Sequence, residues 1–410
     1  MSRLQVTVTD MAHGGDAVAR HEGKVIFVPF ALPGEEVLVE LIEEKARYSR
    51  ALPLEIVSSS PQRVEPRCPH FGVCGGCQWQ HIAYEAQLGF REEILQSQLK
   101  RIAHLSDVSV KPSLGMTNPW NYRNHVQLHA DEAGQLGFIA TTAQRVVAIQ
   151  ECHVMHPLLF DVFAALEIDF PELRKVSLRA GTTTGEQLLI LETVGEEAPA
   201  LEADLPISCV LLLNDGTPVT YVGDNYVTER VAGRSFRISA TSFFQPNTAQ
   251  IASLLDTVNQ YLSPQGDEVL LDVYCGVGTL GLSLADKVAK VLGIDENEAA
   301  IADAVFNSQE MKNVKFMQGT AEELLPRLEE RVDLVILDPP RRGCHEQALV
   351  AMLKLAAPKM VYVSCDPATL ARDIGRMVQG GYELVEVQPV DMFPQTCHVE
   401  AVALLRARSQ

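Results

Sequence analysis

From residue 241 onwards, short apolar runs of strand length alternate with stretches of helical character, and this rhythm constrains the fold more than any other feature. Strands separated by helices form βαβ units, which build a parallel sheet. The predicted strands are residues 268–273, 291–294, 314–317, 333–337 and 360–364. Residues 383–387 and 398–405 follow one another without a helix, so we expect them to pair antiparallel at the edge of the sheet. The pattern predicts a Rossmann-like α/β domain over residues 241–410.

The first 240 residues follow a different pattern, rich in short strands. Residues 1–58 alternate apolar and polar side chains in runs punctuated by glycine turns, which predicts a small all-β barrel. A helix with a charged outer face is predicted over residues 84–104, and we expect it to pack on the C-terminal domain. Beyond residue 118 the segments are again β-like. We therefore expect three domains, covering residues 1–58, 59–240 and 241–410.

The overall composition excludes several classes of protein. The chain has 410 residues, 47% of them hydrophobic. No apolar run approaches the roughly 20 residues of a membrane helix. Nine cysteines, an odd number, in a chain without an export signal argue against a disulfide framework. These features predict a cytoplasmic protein that does not contact a membrane. The net charge of −19 argues against nucleic acid as a partner, although one basic groove can coexist with an acidic exterior.

A glycine-rich turn follows the first predicted strand of the C-terminal domain, in the run LLDVYCGVGTLG of residues 270–281. Gly276 and Gly278 would let a ligand approach the backbone, and the helix that follows offers free N–H groups. Asp295 ends the next strand and suits ribose hydroxyls, so the spacing fits a dinucleotide site. Asp272, by contrast, would repel a pyrophosphate and could help to organise a zwitterionic amino-acid ligand.

Two further loops follow strands at the same sheet edge. The run DPPRRG, residues 338–343, puts an acid and two arginines on a rigid turn and supplies local positive charge. Cys365 ends a strand just before a helix that starts near Pro367. Because a helix amino terminus lowers the pKa of a thiol, we expect Cys365 to be a nucleophile, assisted by Arg372. Glu400 begins the last strand and, taken alone, resembles an ordinary solvated carboxylate.

Three cysteines lie close together on a glycine-rich loop before the predicted helix. Cys68, Cys74 and Cys77 have a spacing that indicates a metal site, either zinc or an iron–sulfur cluster. The fourth ligand has to come from elsewhere in the chain, and Cys152 or Cys209 would serve.

Taken together, these motifs resemble the RNA 5-methyluridine methyltransferase family, which uses S-adenosylmethionine, over nearly the whole chain. GGDAVAR, residues 14–20, is similar to the RNA-binding TRAM barrel, and FFQPN, residues 243–247, is similar to the start of the family's catalytic domain. The resemblance implies an α/β and β multidomain protein. Its parts would be an N-terminal OB-like TRAM barrel, a central β-rich domain with the cysteine cluster, and a C-terminal Rossmann-like class I methyltransferase domain.

The resemblance also implies a role for each matching residue. Cys365 would be the nucleophile that adds to carbon 6 of uracil, and Glu400 would be the general base. Contacts with the cofactor or the target base are implied for Gln245, Tyr274, Gly276, Gly278, Thr279, Asp295 and Asp338. A [4Fe–4S] cluster is implied on Cys68, Cys74, Cys77 and Cys152.

The favoured substrate is a uridine of 23S ribosomal RNA, because a TRAM-like barrel together with the cysteine cluster resembles that branch of the family. A transfer RNA uridine is the alternative. We expect a monomer that holds RNA with its barrel and with Arg341 and Arg342. Two other functions are weighed against this one: a nicotinamide-dependent dehydrogenase, supported only by the glycine spacing, and a non-catalytic iron–sulfur protein that binds RNA.

Overall fold

The computed structural model describes residues 2–131, 134–141, 145–167, 170, 172–194 and 206–408. Its amino-terminal strands are β1 (Arg3–Met11), β2 (Ala17–His21), β3 (Lys24–Val28), β4 (Glu36–Glu44) and β5 (Tyr48–Ser58). They close into a barrel in the order β1-β2-β3-β5-β4. Alternate side chains of β1, such as Val6 and Val8, are buried in the barrel together with Val28 and Val37. The predicted barrel is confirmed.

The middle of the chain is mostly β-structure. Its elements are α1 (Tyr84–Ile102), β6 (Ser109–Val110), β7 (His125–Ala130), β8 (Leu136–Ile139), β9 (Val146–Ala148), α2 (Pro157–Ala165), β10 (Leu173–Ala180), β11 (Gln187–Thr193), β12 (Ser208–Leu212), β13 (Pro218–Val222), β14 (Tyr226–Val231) and β15 (Arg234–Ser239). Within the described ranges, β7 to β13 form one sheet in the order β13-β12-β11-β10-β7-β8-β9. Strands β14 and β15 form a separate antiparallel pair.

Helix α2 departs from the sequence expectation, which placed only β-like segments beyond residue 118. His156 caps this helix, since its Nδ1 accepts a hydrogen bond from the N–H of Leu158 at 3.3 Å, and Pro157 occupies the first turn. Leu159 and Val162 are buried on the sheet side. Nine residues give too few turns for apolar periodicity to stand out in β-rich surroundings.

The C-terminal part is an α/β domain. It contains α3 (Thr248–Leu262), β16 (Val269–Val273), α4 (Thr279–Leu284), β17 (Lys290–Asp295), α5 (Glu298–Asn307), β18 (Val314–Gln318), α6 (Ala321–Leu324), β19 (Leu334–Leu337), α7 (Glu346–Leu355), β20 (Lys359–Ser364), α8 (Pro367–Gln379), β21 (Tyr382–Val390) and β22 (Glu400–Ala407). Its sheet has the order β18-β17-β16-β19-β20-β22-β21-β6. The strands from β18 to β20 are parallel, as the sequence predicts.

Both faces of this sheet are buried. Neighbouring residues on one strand, such as Leu270 and Leu271, belong to two different hydrophobic cores, and the same holds for Val335 and Ile336. A parallel sheet covered on both sides explains why its strands are continuous apolar runs in the sequence. No helix among the described residues is both long enough and apolar enough to cross a membrane.

The antiparallel pair β21–β22 does not form the edge of the sheet, contrary to the sequence expectation. Strand β22 lies between β20 and β21, and β6 adds a parallel strand outside β21.

Helix α1 packs on α8. Leu95 and Leu99 of α1 enter the core of the C-terminal domain, whereas Phe90 and Ile94 enter the core of the barrel. Helix α1 therefore joins the barrel to the C-terminal domain.

Candidate active site

One edge of the C-terminal sheet carries a large pocket. The carboxyl ends of β16, β17, β19 and β20 meet there, and antiparallel β22 brings its amino end to the same edge. The pocket has a volume of about 1520 Å³, its open mouth included. Eight of the predicted residues line it: Gln245, Tyr274, Gly276, Thr279, Asp295, Asp338, Cys365 and Glu400. Doubly wound folds bind their ligands at this edge.

Gly278 is the predicted residue that the described pocket does not include. It precedes α4 with a φ of +89°, and a Cβ there would lie 2.8 Å from Leu282 Cδ1. A side chain at this position would be strained and would collide with the helix. Gly278 therefore shapes the turn, whereas Gly276 contacts the pocket directly.

Two aspartates hold the glycine turn in place. Asp295 accepts hydrogen bonds from the N–H groups of Gly276 and Asn297, both at 2.9 Å. Asp272 lies behind the turn, fully buried, and accepts from the N–H of Gly281 at 2.8 Å. Burial raises the pKa of Asp272 to about 8. Asp272 therefore organises the turn from behind, while Asp295 reaches the pocket itself.

Gln245 and Asp338 form a polar pair in the same pocket. Gln245 donates its Nε2 hydrogen to Asp338 Oδ2 at 3.3 Å. Burial raises the pKa of Asp338 to about 7, and the charge of Asp295 raises it further, while the Gln245 hydrogen bond lowers it. An amide and an acid of this kind can hydrogen-bond the polar edge of a heterocyclic base.

Cys365 directly follows β20, and Glu400 begins the neighbouring strand β22. Strands β20 and β22 pair antiparallel with Ser364 opposite Ala401, so Cys365 comes next to the first residue of β22, Glu400. Glu400 is only 3% exposed, which rules out the solvated carboxylate that its sequence context suggests. Burial, and then the charge of Asp338, raises the pKa of Glu400 well above its usual range.

The expectation that a helix terminus activates Cys365 is wrong for this structure. Burial raises the pKa of the Cys365 thiol to about 12, and the charges of Glu400 and Asp338 raise it further. The N–H groups at the start of α8 are not available to the thiol. Asp366 Oδ1 already accepts hydrogen bonds from the N–H groups of residues 368 and 369, at 3.0 and 2.8 Å. Arg372 is also turned away and donates to Asp373 Oδ1 at 2.8 Å. Arg341 is the arginine that lowers the pKa of the thiol.

Several lining side chains were not among the predicted site residues, and three of them are Phe243, Phe393 and Asn297. Phe243 is 65% exposed at the pocket, Phe393 lies on the loop before β22, and Asn297 follows Asp295 by two positions. The exposed ring of Phe243 offers a flat apolar surface on which a base can stack. The sequence held one signal for it, since Phe243 opens the FFQPN run that contains Gln245.

The four predicted cluster cysteines line a second cavity. Cys68, Cys74, Cys77 and Cys152 line a space of about 400 Å³, its open part included, and Arg123 lies beside them. Cys209, the other ligand considered, is buried in β12 and is not among the lining residues. All nine cysteines are free thiols. Within the described ranges, no group of three or more His, Cys, Asp or Glu is arranged to hold a single metal ion.

Comparison with known proteins gives two matching family profiles. Residues 216–408 match the profile described as tRNA (Uracil-5-)-methyltransferase, and residues 2–54 match the TRAM domain. Similar proteins are named uncharacterized RNA methyltransferases. One from Thermosynechococcus vestitus is 37% identical over 98% of this chain and 97% of its own length. One from Halalkalibacterium halodurans is 36% identical over 99% of this chain and 97% of its own length.

A solved structure shares the whole architecture. It is the tRNA (uracil-54, C5)-methyltransferase of Pyrococcus abyssi in complex with S-adenosyl-L-homocysteine. The two chains superpose with a TM-score of 0.77 at 29% identity, and the match covers 98% of this chain and 100% of the other. The similarity therefore spans the barrel, the central part and the α/β domain together.

Proposed function

We propose that this chain, which belongs to the family of RNA uracil-5-methyltransferases with a TRAM domain, methylates carbon 5 of a specific uridine in 23S ribosomal RNA. The observation that carries the proposal is the placement of Cys365 beside Glu400 in a pocket that also contains Asp338 and Gln245. A thiol next to a carboxyl group provides a nucleophile for one step of a reaction and a proton acceptor for another step.

The proposed reaction proceeds through a covalent adduct. Carbon 5 of uracil is a poor nucleophile, so the Cys365 thiolate first adds to carbon 6 and leaves negative charge available at carbon 5. S-adenosylmethionine, when bound, supplies a methyl group on a positively charged sulfur. Glu400 then takes the proton from carbon 5, and elimination releases Cys365. Because carbon 6 is inaccessible in a base stack, the target uridine has to flip out into the pocket.

Arg341 favours the charged forms of the two proposed catalytic groups. Its guanidinium lowers the pKa of both Cys365 and Glu400, against the burial that raises them. Arg341 Nη2 lies 3.4 Å from His398 Nε2, so the guanidinium is held at the pocket. A positive group here stabilises the thiolate and the carboxylate that the reaction requires. Arg341 thus connects the DPPR turn with the covalent chemistry.

The glycine turn supplies the cofactor side of the pocket. We propose that Gly276 and Thr279 approach the amino-acid part of S-adenosylmethionine and that Asp295 binds its ribose hydroxyls. Tyr274 lines the same pocket with a φ of +65°, a strained conformation for a bulky residue. Strain of this kind is common where a ligand fixes the backbone.

RNA has a candidate path between the barrel and α1. A groove of about 1500 Å³, its open side included, lies there and is lined by three arginines, Arg20, Arg47 and Arg101, and by the rings of Phe27 and Tyr48. Arginines bind phosphates, and exposed rings stack on bases. The acids Asp10 and Glu93 also line the groove. This local concentration of arginines answers the objection raised by the net charge of −19.

The choice between two RNA substrates rests on different observations. The cysteine cavity together with the barrel supports ribosomal RNA, on the resemblance described above. The similarity to the Pyrococcus abyssi enzyme, which acts on uracil-54 of tRNA, supports transfer RNA as the second candidate. We propose that the protein acts as a monomer, with residues 1–58 and 59–240 presenting RNA to residues 241–410.

We also propose a [4Fe–4S] cluster on Cys68, Cys74, Cys77 and Cys152. The chemistry of the donor set fits, because four cysteines converge on one cavity and such clusters take four thiolates. The guanidinium of Arg123 donates to the carbonyl oxygen of Gly76 at 3.2 Å, which places a positive charge beside four potential thiolates. Iron and sulfide measured after anaerobic purification check this assignment, and zinc without sulfide would overturn it.

The proposed activity is tested by mapping 5-methyluridine. The protein is incubated with S-adenosylmethionine and with unmodified ribosomal or transfer RNA in parallel, and the products are read by mass spectrometry. Cys365→Ala should abolish methylation, whereas Cys397→Ala, a change of the same size on a nearby loop, should retain it. Glu400→Gln should accumulate a covalent protein–RNA complex, because the proton at carbon 5 is no longer removed.

Three results would contradict the proposal. One is methylation by Cys365→Ala at the wild-type rate, and another is the absence of a covalent complex in every variant. The third is a wild-type protein that binds the cofactor and methylates neither RNA pool. Methylation of transfer RNA alone would keep the chemistry and replace the substrate.

A further inference from the structure

The loop between β1 and β2 leaves the barrel and touches the loops that carry both proposed catalytic groups. Its turn is closed by hydrogen bonds from Ala12 N–H to Asp16 O at 2.8 Å and from Gly15 N–H to Ala12 O at 3.1 Å. His13, at the tip, places its Nε2 3.3 Å from Asp366 Oδ2. The next residue along the chain from Cys365 is therefore held from another part of the molecule.

The opposite side of this turn packs against the loop that leads to Glu400. A Cβ on Gly15 would lie 2.6 Å from the Cβ of Cys397, so the turn packs directly against the Cys397 side chain. Trp79 Nε1 donates a hydrogen bond to the carbonyl oxygen of Gly15 at 3.4 Å, and this bond also holds the turn in place. The position of His13 is thus set by packing as well as by its own contact.

Asp366 uses its two carboxylate oxygens for two different anchors. Oδ1 caps α8 by accepting from the N–H groups of Ala368 and Thr369. Oδ2 faces His13, and the hydrogen bond to His13 contributes to a lowered Asp366 pKa, about 2, against the burial that opposes it. The backbone at Cys365 is therefore held by α8 on one side and by the barrel on the other.

We propose that His13 is a positioning residue that sets the orientation of the Cys365 loop from the RNA-binding barrel. This inference rests on the proposed function of Cys365. His13 also lines the groove between the barrel and α1, so the residue that holds the nucleophile loop lies in the proposed RNA path. RNA bound in the groove would therefore affect the reaction through the contact between His13 and Asp366. In this proposal the barrel contributes to kcat as well as to the affinity for RNA.

The test compares His13→Ala with His13→Gln and with a control, His21→Ala, an exposed histidine at the end of β2 in the same barrel. His13→Ala should lower kcat about tenfold, less than the roughly 100-fold that a 1 Å misplacement of reacting atoms can cost. KM for RNA should change less than about twofold. His13→Gln should recover part of kcat, because its amide can donate to Asp366, and His21→Ala should behave as wild type.

A second readout does not depend on methylation. The rate at which iodoacetamide modifies Cys365, read on its peptide by mass spectrometry without RNA, should differ at least about twofold between wild type and His13→Ala. If the wild-type protein methylates neither RNA, the proposed function fails, and this rate still tests the contact. If His13→Ala does not fold, Asp366→Asn takes its place, because asparagine still caps α8 but loses the charged acceptor. An unchanged kcat and alkylation rate would overturn the inference, and so would a loss confined to KM.

Discussion

Replacing Arg91 by methionine should destabilise the protein by about 4 kcal/mol, because it breaks a buried ion pair. Arg91 lies on α1 with no exposed surface, and its Nη2 is 3.1 Å from Asp391 Oδ1, which is equally buried. Leaving one partner of such a pair unpaired costs about 3–5 kcal/mol. Arg91 also donates to three carbonyl oxygens of the loop before β22, those of Phe393, Thr396 and His398.

Urea denaturation of three variants measures this cost. Arg101→Met, at the exposed end of the same helix, should stay within about 0.5 kcal/mol of wild type. Adding Asp391→Asn to Arg91→Met should recover stability, because the unpaired buried charge is removed. Burial already raises the pKa of Asp391, and loss of Arg91 raises it further, so the cost should shrink as the pH falls through that pKa. A cost below about 1 kcal/mol, or one that is equal at about pH 5.5 and pH 8, would refute the reasoning.

Two smaller predictions concern the glycine turn and the barrel loop. Because the folded protein holds the proton of Asp272 up to about pH 8, its stability should fall as the pH rises from about 4 to 8, and Asp272→Asn should lose this decline. Urea midpoints at both pH values check it, and parallel wild-type and variant curves would contradict it. Gly15→Ala should cost about 1–3 kcal/mol, because its Cβ would collide with Cys397, and it should exceed the cost of Gly14→Ala, which has the same positive φ and open space. Equal melting temperatures for the two variants would show that packing is not the cause.

The parts of the fold that follow local patterns could be predicted from the sequence. Strands β16, β17, β19 and β20 are largely apolar runs because both faces of the sheet are buried there, and runs of that kind are visible in a single chain. The position of β6 was not predictable, since two residues carry no periodicity and their pairing with β21 joins positions far apart in the chain. Helix α1 was predicted, and its packing on the C-terminal domain, which takes place against α8, was expected.

The candidate site shows the same division between local and distant effects. Residue types and spacing indicated Cys365 and Asp338, the resemblance to the methyltransferase family added Glu400, and the structure brings all three to one pocket. Their protonation could not be predicted, because it depends on burial and on distant charges that meet only in the folded protein. The arginine that was expected to act on the thiol, Arg372, is near in sequence but is turned away, whereas Arg341, further away in sequence, acts on it. Sequence distance was therefore a poor guide to the electrostatics of the site.

The sharing of α1 between two cores has a consequence for how the protein is made. Synthesis proceeds from the amino terminus at roughly 5–20 residues per second, so α1 leaves the ribosome roughly 15–50 s before α8, on which it packs. During that interval Leu95 and Leu99 lack the core into which they fold. The nascent barrel can already bury Phe90 and Ile94 of the same helix, while Leu95 and Leu99 stay exposed until the C-terminal domain has been synthesised. The α/β domain closes only when β22 has been synthesised and inserted between β20 and β21, so a ribosome that stalls earlier releases a chain without a competent pocket.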